Sequence, residues 1–245
     1  MARQVDTGLP ASIEAAWGRR ERPGKGPKPG LSLGQIVDAA VRVARSEGLA
    51  AVSMARVAEQ LGSSTMSLYR YVAAKDELLA LMVDAAVGPP PPATDPDESW
   101  RAGLSRWAWA YHDRMRQHPW ALKVPISGPP TTPNQVAWLE DGLHSLRDTA
   151  LAEEDKASVV LLLSGYVRSE ATLTAELIAA HAITDAAMSD YARLLGTLID
   201  REQFPAIHAV LAAGVFDTAD HPDKEFSFGL ERILDGIDAL VRARP

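Results

Sequence analysis

The 245-residue chain contains no cysteine. That absence excludes disulfides, thiolate metal sites and cysteine nucleophiles. Histidine is sparse, with six scattered along the chain. His144/Asp148 and His181/Asp185 each fall one helical turn apart, but such pairs are more often solvated or hydrogen-bonded than metal-ligating. Neither a metal nor a cofactor is expected. No glycine-rich phosphate loop occurs and no nucleophile stands in a recognisable setting, so an enzyme is not expected. Apolar runs such as Val159 to Leu163 fall far short of the ~20 residues of a membrane helix. Asp6 and Glu14 lie near the start without an apolar segment, which reads as no secretory leader and predicts a cytoplasmic protein with no membrane partner.

What is present is helical. Alanine and leucine dominate over valine-rich alternation, and a hydrophobic share of 47% can fill one small and one larger core. Charge is divided unevenly. Through Lys75 eleven Lys/Arg stand against six Asp/Glu, a balance of +5, while the remainder carries −12. A basic N-terminal third on an acidic body suits a molecule that meets a polyanion at one end.

The stretch SMARVAEQLGSSTMSLYRYVAAK, residues 53–75, holds two short helical patterns. In the first, Val57, Ala58 and Leu61 recur at helical spacing, with Ser53 as N-cap and Gly62 as stop. In the second, Ser63 or Ser64 caps and Leu68 points inward, leaving Thr65, Met66, Ser67, Arg70 and Tyr71 outward. Helices this short need tertiary packing to persist. A tight helix-turn-helix showing hydroxyls, an arginine and tyrosines outward fits a DNA major groove; the bland alternative is an ordinary helical hairpin.

Upstream, residues 1–31 read as a basic arm. Leu9, Ile13 and Trp17 fall at helical spacing and can form one or two turns that dock elsewhere, and RRERPGKGPKPG follows, with Arg19, Arg20, Arg22, Lys25 and Lys28 among Gly and Pro. Such a segment can lie along phosphates or enter a minor groove, and its removal is expected to cost little stability. Ser32 and Gln35 form a capping box for a helix with Ile36, Ala39, Ala40, Val43 and Ala44 as its buried stripe. Another helix starts near Lys75. The run GPPPPATDPD, residues 88–97, is a proline-rich linker, so residues 32–87 form one domain and 98–245 another. In the second, helices are predicted from Glu98 to His118, from Pro133 past Leu146, over 153–180 and 185–200, one with Phe204 and Ile207, and over 223–242. Trp120, Leu122, Val124 and Ile126 are expected to fold inward. The 153–180 helix is apolar nearly all round at first and should be central. In the last helix, Phe226, Leu230, Ile233, Ile237 and Leu240 make one stripe, with Leu234 and Val241 beside it; one stripe can serve a partner subunit. Charged residues at Leu230 and Ile237 are then expected to break a dimer.

The run AVSMARVAEQLGSSTMSLYRYVAAKDELLALM resembles the DNA-binding domain of TetR-type transcriptional regulators, most specifically in LGSSTMSLYRYVAAKDELL. Ala74 stands where the family often has a capping Asn. FPAIHAVLAAG and DKEFSFGLERILDGIDALV are similar to the end of tetracycline-type repressors. The resemblance implies an all-α homodimer with an N-terminal helix-turn-helix domain and a C-terminal ligand-binding and dimerisation domain. Its function would be repression, released when a small-molecule effector weakens binding to double-stranded operator DNA. Thr65, Met66, Ser67 and Arg70 would carry the base contacts, with Tyr69, Tyr71 and Lys75 on phosphates. Trp107, Tyr111, Trp120, Trp138 and Tyr166 would serve a hydrophobic or aromatic effector. The loop PWALKVPISGPPTTP has no His of the kind that holds a drug–magnesium chelate, so tetracycline itself is not implied. The rival reading is a helical enzyme or small-molecule-binding module with a purely structural helix-turn-helix.

Overall fold

The computed structural model describes residues 8–19, 31–93, 95–219 and 223–243. Among these there are helices and no strand. A short α1 (Ala11–Ala16) precedes α2 (Leu33–Glu47), a 3-10 turn (Leu49–Ala51), α3 (Met54–Gln60), α4 (Thr65–Tyr69) and α5 (Lys75–Val87). The body follows with α6 (Trp100–Gln117), a one-turn α7 (Pro119–Leu122), α8 (Pro133–Ser145) and α9 (Glu153–Ala179). It closes with α10 (Asp185–Leu198), α11 (Pro205–Ala212) and α12 (Asp223–Arg242).

Local chemistry starts the head helices. The side chains of Ser32, Ser53 and Ser64 accept the backbone N–H three residues on, at 3.2, 3.1 and 3.3 Å. Gly62 sits at φ +59°, the left-handed geometry that turns α3 into α4 with little steric cost. Ile36, Val57, Leu68, Val72, Leu78 and Met82 are fully buried and form the head's core.

Helix α5 belongs to the head and the body alike. It packs on α1 and α2 on one side and on α6, α7 and α8 on the other. Its two ends are hydrogen-bonded across these contacts. The Glu77 carboxylate accepts from the buried Ser12 hydroxyl at 2.6 Å and from the Ala73 N–H at 3.2 Å, which serves the helix start where Ala74 has no capping side chain. Asp84, buried, accepts the backbone N–H groups of Asn134 and Gln135 at 2.9 and 3.1 Å, so a side chain of α5 caps α8. Asn134 Nδ2 also donates to Asp84 Oδ2 at 3.0 Å.

In the body α6 and α9 pack together, α8 and α12 close against them, and Leu104, Met115, Leu163, Phe226 and Leu230 lie at the centre. Arg106 on α6 ties Glu98 at 3.1 Å to Asp141 of α8 at 3.0 Å. His112, buried on α6, meets Glu170 of α9 at 2.6 Å and stacks on Phe226 of α12 with centroids 4.0 Å apart.

Four expectations change. Helix α1 is docked through Ser12 and Ile13, both buried, so its removal is now expected to cost stability; Arg20, Arg22, Lys25 and Lys28 lie outside the described residues. Helix α9 is central on one face alone: Val159, Val160 and Leu163 are buried, while Leu161 and Leu162 are 73% and 54% exposed. Trp120 is buried in α7, but Ile126 stands out in the loop at 74% exposure, at the edge of a cavity. In α12 the inward stripe is Phe226, Leu230, Leu234 and Ile237; Leu240 is exposed, as is Phe228. Leu230 and Ile237 are thus core residues, and charging them would unfold the body rather than split a dimer.

Candidate DNA-binding face and effector cavity

The reading helix α4 is held from beneath by Leu68 and Val72. Its outer side presents Met66 and Tyr69, 73% and 45% exposed, with Arg70 exposed at its end. Thr65 and Ser67 are half-buried, and the Ser67 hydroxyl lies 2.8 Å from that of Ser64, so it is tied to the cap. Lys75 is exposed at the first turn of α5. Tyr71 differs from the others. It is half-buried, and its hydroxyl donates to the Leu31 carbonyl at 2.8 Å, fixing the chain where the basic segment enters α2. Arg56 is turned from the same use, since it pairs with Glu47 at 2.6 Å and with Glu59 at 3.3 Å.

A cavity of about 530 Å³ opens between α5, α6, α8, α9 and the 123–132 loop. Trp107, Tyr111 and Trp138 line it as one aromatic cluster, with centroids 5.2 to 5.8 Å apart. Both indole N–H groups are already engaged, Trp107 to the Trp138 carbonyl and Trp138 to the Gly88 carbonyl, each at 2.8 Å. The two indoles therefore offer ring faces rather than donors, and the hydroxyl of this cluster is that of Tyr111. Leu79, Val83 and Val87 of α5 complete the apolar side, and Thr132 and Arg168 supply polar groups.

Trp120 and Tyr166 are not among the lining residues. Trp120 packs instead beside His118, with centroids 6.0 Å apart. Tyr166 is spent on helix packing. Its hydroxyl donates to the Glu225 and Phe226 carbonyls at 3.2 and 2.9 Å, and its ring fills the space left by the missing side chain of Gly229. Burial, with Glu170 and Glu225 nearby, pushes the Tyr166 phenol up to about 12, so it stays protonated and keeps donating. A second consequence of this packing concerns Glu170. Burial alone would raise its carboxyl, yet hydrogen bonds from His112 and Thr174 and the charge of Arg116 hold it below the usual range. Sequence reasoning missed Asp84, Thr132 and Arg168, since a single polar residue in a helical stretch carries no local signal of what it faces.

Set against known proteins, residues 36–82 match the model of bacterial regulatory proteins of the tetR family, and residues 91–241 match the tetracyclin repressor-like C-terminal domain. The chain belongs to this family. It is a DNA-binding transcriptional regulator with a repressor-like C-terminal domain, and not an enzyme. It is 38% identical over 242 residues to the HTH-type transcriptional repressor DrrR1 of Streptomyces coeruleorubidus, covering 95% of this chain and 87% of that relative. An HTH-type transcriptional regulator of Saccharopolyspora erythraea is 29% identical over 231 residues, covering 93% and 92%. Among solved structures, the Streptomyces coelicolor TetR family protein ActR in complex with actinorhodin aligns with a TM-score of 0.71 at 27% identity, over 86% of this chain and 98% of that one. The same protein in complex with (S)-DNPA aligns equally well.

Proposed function

We propose that the chain is a homodimeric repressor whose hold on operator DNA is released by a small hydrophobic or aromatic molecule bound in the aromatic cavity. The observation that carries this reading is the double service of α5. Lys75 at its start adjoins the reading helix, and Leu79, Val83 and Val87 further along it form the cavity wall. A ligand that prefers one setting of α5 must bias the head by the same free energy, typically ~1–3 kcal/mol. ActR's complexes with actinorhodin and (S)-DNPA support an effector site in such a domain. On the DNA, Thr65, Met66, Ser67 and Arg70 contact bases, while Tyr69 and Lys75 hold phosphates. Tyr71 acts through its bond to Leu31, and such a protein would work in the cytoplasm.

The second copy docks on the bare faces of α9 and α12. Leu162, Leu173 and Phe228 are 54%, 57% and 62% exposed there, and beyond the local helix backbone no atom comes within 4 Å of where Gly165 or Gly236 would carry a side chain. Exposed apolar side chains on two helices that pack together suit a four-helix bundle between subunits.

Selecting bound DNA from a random pool tests the whole reading. An inverted repeat with half-sites one or more helical turns apart is expected, bound in a salt-dependent way. Recovery of unrelated sequences with salt-insensitive affinity would return the helix-turn-helix to a structural role.

A further inference from the structure

Of the residues lining the cavity, Arg168 of α9 is the one cationic side chain and Asp76 the one carboxylate. No ion pair joins them. Arg168 is half-buried, and among the described residues its guanidinium forms neither a salt bridge nor a hydrogen bond. It does not sit over a ring either; the cation–aromatic contact among those residues is Arg232 over Phe228, 5.3 Å from the centroid. Two arginines of α6, by contrast, are satisfied: Arg101 by Glu231 and Asp235, Arg106 by Glu98 and Asp141. A second polar group at the same wall is also unmet. Thr132 is 1% exposed, its Oγ1 has no hydrogen-bond partner, and capping of α8 has been taken over by Asp84.

An unpaired guanidinium facing a largely apolar cavity has lost part of its hydration without gaining a counter-ion, and an anion placed there restores both. Resting on the effector-cavity reading, we infer that the ligand is a planar aromatic anion, its rings against Trp107, Tyr111 and Trp138 and its carboxylate or comparable acidic group on Arg168. The Thr132 hydroxyl, sealed beneath the same wall, reaches a ligand oxygen only if its side chain turns toward the cavity. The indole N–H groups, already engaged, leave Arg168 as the group that distinguishes a charged ligand from a neutral one. The guanidinium's fixed fork suits a carboxylate better than a point cation would.

Two probes of one shape test this: anthraquinone-2-carboxylate and anthraquinone-2-carboxamide, titrated against the intact protein by quenching of its tryptophan fluorescence. The carboxylate should bind about tenfold or more tightly than the amide. Arg168→Gln should weaken the carboxylate alone, bringing the two to within about twofold, and Arg168→Lys should keep part of the preference. Unchanged amide affinity in Arg168→Gln certifies its fold. Equal affinities in the unsubstituted protein, or equal losses for both probes in the variant, overturn the inference while leaving the cavity reading intact. The inference falls equally if Arg168→Gln dissociates the dimer in sedimentation without touching the preference, because a carboxylate of the second copy would then be its partner. If neither probe quenches, the effector-cavity reading fails and takes this inference with it.

Discussion

Arg70 closes α4 and Lys75 opens α5, and their chemistry separates what they can do on DNA. Arg70 carries a planar fork that can reach a guanine edge, whereas Lys75 is a point charge at the head's rim. Arg70→Ala should cost ~1–3 kcal/mol of operator affinity and relax preference at one base position per half-site. Lys75→Ala should weaken all sequences alike and lower the salt slope by about one, as titrations at several ionic strengths would reveal. An exchange of these two patterns would mean that the outward faces are assigned wrongly. Glu170 offers a different readout. Its folded carboxyl lies below the ordinary carboxylate range, so its contribution is present above the unfolded value and is lost as pH falls through the folded one. Melting curves of Glu170→Gln should therefore run flatter than the parent's below about pH 4.5 and sit lower near neutrality. A parallel pair of curves would remove Glu170 from the acid response.

At the scale of elements, what the sequence announced was local. Capped helix starts at Ser32, Ser53 and Ser64 need only residues three apart, and the proline that stops α6 after His118 and the one that opens α8 are equally short-range. The docking turn of α1 was legible in the spacing of Leu9, Ile13 and Trp17, but its partners were not, because Ser12 meets Glu77 across 65 positions and Trp17 Nε1 meets the Thr131 carbonyl, at 2.8 Å, across 114. Nor could apolarity tell which face of α9 or α12 is bare, since a core and a subunit contact want the same side chains. The aromatic wall was half readable: Trp107, Tyr111 and Trp138 share it, while Trp120 and Tyr166 turn to other packing. Because α1 buries Ile13, Ile13→Ala should destabilise the free protein by ~2 kcal/mol, the low end for a large-to-small change. Denaturant titration without DNA checks this; an unmoved midpoint would return the segment to the role of a loose arm.

For the molecule as a whole, subunit association and folding can be separated by choosing exposed positions. Phe228→Glu and Leu173→Glu should give a folded monomer in sedimentation at micromolar concentration, with the helical circular dichroism of the parent. A dimer that survives both changes would put the interface elsewhere. Leu230→Glu, by contrast, should abolish helicity, because that side chain is in the core. The buried carboxylate of Asp84 has a further consequence. Asp84 lies between the two family modules, and the N–H groups it accepts from Asn134 and Gln135 belong to the second, so the head helix α5 and the body are expected to melt together. Asp84, Leu81 and Val87 of α5 would all be uncovered if the body melted first. Calorimetry should then record a single endotherm whose measured heat equals its van't Hoff heat for the cooperative unit, and amides of α5 and α8 should exchange with solvent in step.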